Sequence, residues 1–200
     1  HDAGAEHCRR HRLGEQPLRL APDGTEHMGA DPLEEDRRPV KVRAFFGLPV
    51  PEAQRRELEP YIARCAGAAP AFRWVPADNL HLTVRFIGSV EHAVVEGVAD
   101  RLAERRLMGF ELALAGVGTF KRRGLVRVVW LQVSSGVEAA RELADQVEAE
   151  CAAAGLAAET RPFRPHLTLA RARGREDAPL PQLPDQPRLE PWRADELVLY

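Results

Sequence analysis

Pro165-His166-Leu167-Thr168-Leu169-Ala170-Arg171 repeats a pattern already used at Leu80-His81-Leu82-Thr83-Val84-Arg85-Phe86. The shared core is His-x-Thr, and the two histidines lie 166 − 81 = 85 residues apart. Both stretches alternate polar with apolar residues, the signature of a strand with one buried face. Side chains two apart on a strand share a face. His81 therefore projects with Thr83, and His166 with Thr168, while Leu82, Val84, Leu167 and Leu169 turn toward a core. Two such strands side by side would set two imidazoles and two hydroxyls together, which is equipment for acid–base chemistry.

Working outward, the segments between and around the motifs read as an α+β domain. Val42–Leu48 is an expected strand. Pro49 and Pro51 break it, with Pro51 suited to a first helical turn. Leu58, Tyr61, Ile62 and Cys65 recur at helical spacing and give a helix with one buried stripe. Phe72–Val75 is a short strand, and Pro76–Asn79 turns into the first motif. Ser89 is the expected N-cap of a second helix carrying Val94, Val95, Val98 and Leu102. Two strands follow, over 110–117 and 126–133, joined by a turn at Lys121-Arg122-Arg123-Gly124. Ser135-Gly136-Val137-Glu138 fits a capping box for a third helix with Leu143, Val147 and Cys151 inward. After the second motif come a Pro-rich loop over 178–191 and a last strand over 196–200. A motif strand, a helix and a Pro-containing turn thus recur, which implies two related lobes. The expected architecture is bilobal, with two mainly antiparallel sheets facing a central cleft and helices outside.

Residues 1–40 differ in kind from 41–200. They mix charge, Gly and Pro without sustained period and bury too little apolar surface to offset ordering entropy, so a disordered or non-native extension is expected. His1, His7, His11 and His27 fall there at irregular spacing. Because the chain stops within a strand, the C-terminal end is expected to be truncated.

The chain of 200 residues is 44% hydrophobic and 29% charged, with a net charge of −2. Such a composition suits one domain with a real core. Any anionic ligand would have to meet a local patch. Cys8, Cys65 and Cys151 show neither a disulfide framework nor metal-ligand spacing, and the latter two sit on apolar helix faces. No apolar run reaches the roughly 20 residues of a membrane span. These features lead to the expectation of a cytoplasmic monomer with no cofactor and no metal.

A single His-x-Thr on a strand is ordinarily just a half-exposed strand. Two copies, each with Leu in the middle and Arg downstream, are harder to ascribe to strand chemistry alone. Histidine titrates near neutrality, so one ring can act as base while the other acts as acid. Hydroxyls and an arginine can hold the oxygens of a phosphodiester under attack.

Asn79–Gly88 and Arg161–Arg171 resemble the two signatures of the two-histidine phosphoesterase superfamily. Within it the chain is similar to the RNA 2′,3′-cyclic phosphodiesterase (2′-5′ RNA ligase-like) family. Arg43–Pro49, Arg73–Pro76 and Val129–Leu131 share in that likeness. The resemblance implies metal-independent hydrolysis of an RNA 2′,3′-cyclic phosphate end, or of a small cyclic nucleotide, to a 2′-phosphate. It implies His166 as the base toward water and His81 as the acid toward the departing 3′-oxygen, with Thr83 and Thr168 on the phosphate. Arg171 matches a family arginine, although strict alternation puts it on the face opposite His166 unless the strand bulges. Arg85 shares the His81 face by parity and is the second candidate. Five arginines, Arg161, Arg164, Arg171, Arg173 and Arg175, against Glu159 form a basic patch suited to RNA. Phe46 is the preferred stacking residue for a terminal base, ahead of Phe120, Trp130 and Phe163. Reversible 2′-5′ ligation and an idle RNA-end-binding module are the alternatives.

Overall fold

A computed structural model describes residues 9–12, 40–174, 178–180 and 182–200. Its strands are β1 (Arg9–Arg12), β2 (Lys41–Pro49), β3 (Phe72–Trp74), β4 (His81–Glu91), β5 (Phe110–Arg122), β6 (Leu125–Ser135), β7 (His166–Ala172), β8 (Trp192–Ala194) and β9 (Glu196–Leu199). The helices are α1 (Glu52–Ala68), α2 (His92–Glu104) and α3 (Val137–Ala153). Every strand pairing is antiparallel, in the order β1-β9-β2-β4-β7-β6-β5-β8, with β3 added to β7.

The two expected sheets are joined edge to edge rather than separate. One lobe holds β2, β4 and β9, the other β7, β6, β5 and β8, and they meet where Leu82 of β4 lies opposite Leu167 of β7. Along the same edge of β7, β3 takes over from β4: Trp74 pairs with Ala170, Arg73 with Arg171 and Phe72 with Ala172.

Hydrophobic burial fixes this register. Leu82 and Leu167 are 1% and 0% exposed and share one core with Leu58 and Tyr61 of α1 and Leu143 and Val147 of α3. Each fully buried Leu contributes about 1.5–3 kcal/mol, and a slip by one residue would send the whole apolar row to the other face. The helices therefore cover the core side, and the opposite face is left to His81, Thr83, His166 and Thr168.

Three local expectations are corrected. Ser89 does not cap α2: it lies inside β4 opposite Arg43, and Glu91 precedes the helix. Ser135 does not form a capping box, because it ends β6 and α3 starts from Gly136 at φ 82° with no side-chain cap. An added Cβ at Gly136 would stand 2.3 Å from the Glu111 carbonyl oxygen, so the close approach of β5 also demands glycine there. Glu138 pairs instead with Arg141 one turn on. Finally, Arg9–Arg12, within the segment expected to lack structure, pairs with β9. His1, His7, His27, Cys8 and Arg175 lie outside the described residues.

Cys65 and Cys151 are buried and unpaired, as their helical spacing predicts. Burial pushes both thiols up, Cys151 to about 11, which makes them poor nucleophiles. Among the described residues no helix is long and apolar enough to cross a membrane.

Candidate active site

A matched irregularity in β4 and β7 builds the site. Against β2, Gly47 lies opposite Thr83 but Phe46 opposite Arg85, so Val84 is an extra residue in β4. Against β6, Trp130 lies opposite Thr168 but Val129 opposite Ala170, so Leu169 is an extra residue in β7. Each strand consequently shows two successive buried residues, Val84 and Arg85 in one and Leu169 and Ala170 in the other. Each bulge inverts the parity of the residues that follow it, until in β4 a second extra residue, Ile87, restores it: Phe45 lies opposite Phe86 but Ala44 opposite Gly88. The residue five positions after each histidine, Phe86 or Arg171, is thereby exposed on the histidine face.

The bulges turn the two arginines to opposite faces. Arg171 joins the face of His166 and Thr168, and its positive charge acts on both rings, lowering the pKa of His81 and of His166. Arg85 is turned into the core at 9% exposure. It pairs with Glu148 of α3 and donates to the carbonyls of Phe86 and Ala157, both at 2.6 Å. Its guanidinium is thus committed to structure, and the expectation that it holds phosphate is withdrawn.

The two histidines sit in equivalent frames. His81 Nδ1 is 2.8 Å from the Asn79 carbonyl oxygen, and His166 Nδ1 is 2.7 Å from that of Arg164. A carbonyl only accepts, so Nδ1 carries the proton in each ring. Nε2 is left as the working nitrogen of both. Each ring also rests among aromatics. Phe45 and Tyr200 lie 4.7 and 5.2 Å from His81 between centroids, and stack on each other at 4.8 Å. Phe120 and Trp130 lie 5.1 and 5.8 Å from His166.

Phe46, the preferred stacking residue, is 2% exposed and belongs to the core. Its neighbour Phe45 takes the place beside the site. The row Val42, Ala44, Phe46, Leu48 was a signal for this, since those residues mark the apolar face of β2 and leave Phe45 on the other. Tyr200 was not foreseen; it reaches Phe45 through paired backbone bonds, Phe45 N–H to Tyr200 O at 3.1 Å and Tyr200 N–H to Phe45 O at 3.0 Å. Phe163 packs against the core. Gly118 makes room for the Trp130 indole, because an added Cβ would lie 2.3 Å from that ring.

Burial is the main cause that lowers the pKa of both histidines below the ordinary value, with the carbonyl bonds opposing it and Arg171 adding to it. Both rings are thus biased toward the neutral form before an anion arrives. Removing the positive charge in Arg171→Gln is expected to move both titrations to higher pH, read from ring C–H resonances over a pH series. Unmoved titrations in the folded variant would show that the arginine does not act on the rings. Linkage follows the same sign: these histidines favour the folded state above pH 6.5, and that contribution falls away as pH drops through their lowered values.

Around the rings, the available side chains are two hydroxyls and a guanidinium, and among the described residues no three His, Cys, Asp or Glu groups gather as metal ligands. The arrangement can pass a proton at each of two nitrogens and hold an anion by Thr83, Thr168 and Arg171.

A doubled His-x-Thr frame on one antiparallel sheet face defines a two-histidine phosphoesterase. The chain belongs to the 2′-5′ RNA ligase superfamily, whose family model matches residues 49–200. It is 39% identical over 105 residues to a relative from Aeropyrum pernix, covering 52% of this chain and 60% of that one. With the Escherichia coli relative it shares 37% over 131 residues, 64% of this chain and 71% of the other. Both are named RNA 2′,3′-cyclic phosphodiesterase. A Geobacillus stearothermophilus relative of the same name is matched over 41% of its length, so two of these three alignments span less than two thirds of the relative. Among solved structures, Escherichia coli LigT complexed with 3′-AMP superposes with a TM-score of 0.70 at 29% identity, covering 80% of this chain and 88% of that one. A Thermus thermophilus protein gives 0.65 at 27%, covering 79% and 87%.

Proposed function

We propose that the chain hydrolyses RNA 2′,3′-cyclic phosphate ends to 2′-phosphates by metal-independent acid–base catalysis. One observation carries the reading: two histidines in matching frames, each anchored through Nδ1, share a face with two threonines and Arg171. The names of the relatives support the substrate class. In the proposed reaction, His166 Nε2 takes a proton from water as the water oxygen bonds to phosphorus. The P–O3′ bond breaks, and His81 Nε2–H supplies the proton to O3′. His166 leaves the step protonated and His81 neutral, and exchange with solvent restores both. Thr83, Thr168 and Arg171 hold the non-bridging oxygens as charge grows on them. The order of the two histidines comes from the family resemblance.

The monoanionic phosphate also resolves the electrostatic demand. The acid must enter protonated although burial and Arg171 disfavour its charge, and a bound anion favours the imidazolium. We assign the activity to residues 41–200, with 1–40 an extension, in a cytoplasmic monomer whose substrates include small cyclic nucleotides.

An oligoribonucleotide with a 2′,3′-cyclic end, incubated with the protein in EDTA, is expected to yield a 2′-phosphate end. Activity lost on chelation and restored by a divalent ion would overturn the metal-independent chemistry. Joined product with an added 5′-hydroxyl RNA would identify ligation, and tight binding without turnover an idle end-binding module.

A further inference from the structure

The function above leaves one basic feature unused. Arg73 of β3 lies directly opposite Arg171 of β7, and both are exposed. Residues opposite one another in an antiparallel pair share a face, so Arg73 belongs to the same sheet face as the two histidines. Like charges in that relation are destabilising, and neither guanidinium makes an ion pair or a hydrogen bond among the described residues. Register is held despite this by the buried rungs on either side, Trp74 opposite Ala170 and Phe72 opposite Ala172, with Phe72 and Ala170 fully buried. Two cations side by side, neither of them neutralised among the described residues and one on the face of the reacting histidines, form a seat for a ligand with more than one anionic group. Arg173 extends the row along β7, its Nε donating to the Pro70 carbonyl at 2.9 Å.

We infer that Arg73 receives the phosphodiester joining the terminal nucleotide to its 5′ neighbour, so that the preferred substrate is an oligoribonucleotide rather than a mononucleoside cyclic phosphate. The inference rests on the proposed function for the terminal phosphate, and Arg73 adds a second contact one strand further out. A charge-assisted bond to that second phosphate is present only when the chain continues.

The test compares kcat/KM for cytidine 2′,3′-cyclic phosphate and for a pentanucleotide with the same cyclic end. The intact protein is expected to favour the pentanucleotide. Arg73→Gln should reduce that preference about 10-fold, mostly through KM, and lower the slope of log affinity against log salt by about 0.7, as for one lost contact to a single strand. Arg73→Lys keeps the charge and should keep the salt slope. A preference and slope unchanged in Arg73→Gln would overturn the inference. Should the intact protein turn over neither substrate, the proposed function fails while this inference is still decided. In that case the same slope change must appear in binding of a pentanucleotide carrying a 2′-phosphate, and its absence refutes the role of Arg73.

Discussion

His166→Ala and His81→Ala are each expected to lower kcat on a cyclic-ended oligonucleotide by about 10²–10⁴-fold, the usual contribution of one general acid or base. The double variant should fall little below the worse single one, because the two groups act in one step. In the intact protein, burial and Arg171 depress both titrations, so the optimum of kcat/KM lies on the acid side of pH 6.5. His166→Ala should remove the acid limb of that profile and His81→Ala the alkaline limb. A substrate with sulfur in place of the bridging 3′-oxygen separates the roles further. A thiolate leaves without a proton, so this substrate should rescue His81→Ala and not His166→Ala. Rescue of the other variant would exchange acid and base, and activity retained by both would end the catalytic proposal.

The second large effect concerns stability. Glu148→Ala would strand the Arg85 charge, whose side chain is 10% exposed, and a buried charge deprived of its partner costs about 3–5 kcal/mol. Because Glu148 is itself 29% exposed, solvent screening puts the expected loss at about 3 kcal/mol. Arg85→Met removes the more deeply buried charge and leaves only the partly exposed Glu148 without its partner, so it should cost less. Urea unfolding with an unchanged m-value is the measurement, and equal stability of Glu148→Ala and the parent would refute the assignment. Glu148 also accepts from the Glu159 N–H at 3.1 Å, while Arg85 binds the Ala157 carbonyl. The pair therefore ties the first motif strand to the connection that leads into the second. KM should stay near that of the parent in Arg85→Met, unlike the result expected of a phosphate ligand.

Alternation alone located His81, Thr83, His166 and Thr168, because those four residues precede the irregularity in their strands. It failed just after it. Arg85 was assigned to the site and Arg171 to the opposite face by the same parity count, and one extra residue in each strand reversed both. Whether a strand bulges depends on what its partner strands offer, and that information is non-local. Phe45 was legible from the apolar row of β2, yet two adjacent phenylalanines invited the wrong choice. Tyr200 reaches the His81 ring by pairing with a strand 155 positions earlier (200 − 45), which no local pattern encodes. The three helices followed from their apolar stripes, whereas their caps did not, since strand pairing carried β4 and β6 through the serines that looked like starts.

The extra residue at Val84 and at Leu169 sets a rule for length variation here. In each strand two successive side chains are buried at the bulge, so deleting Val84 or Leu169 alone would restore plain alternation and leave Phe86 or Arg171 facing as before. Loss of Val84 or of Leu169 should therefore keep the facing of the strand beyond it, at the cost of one buried apolar side chain.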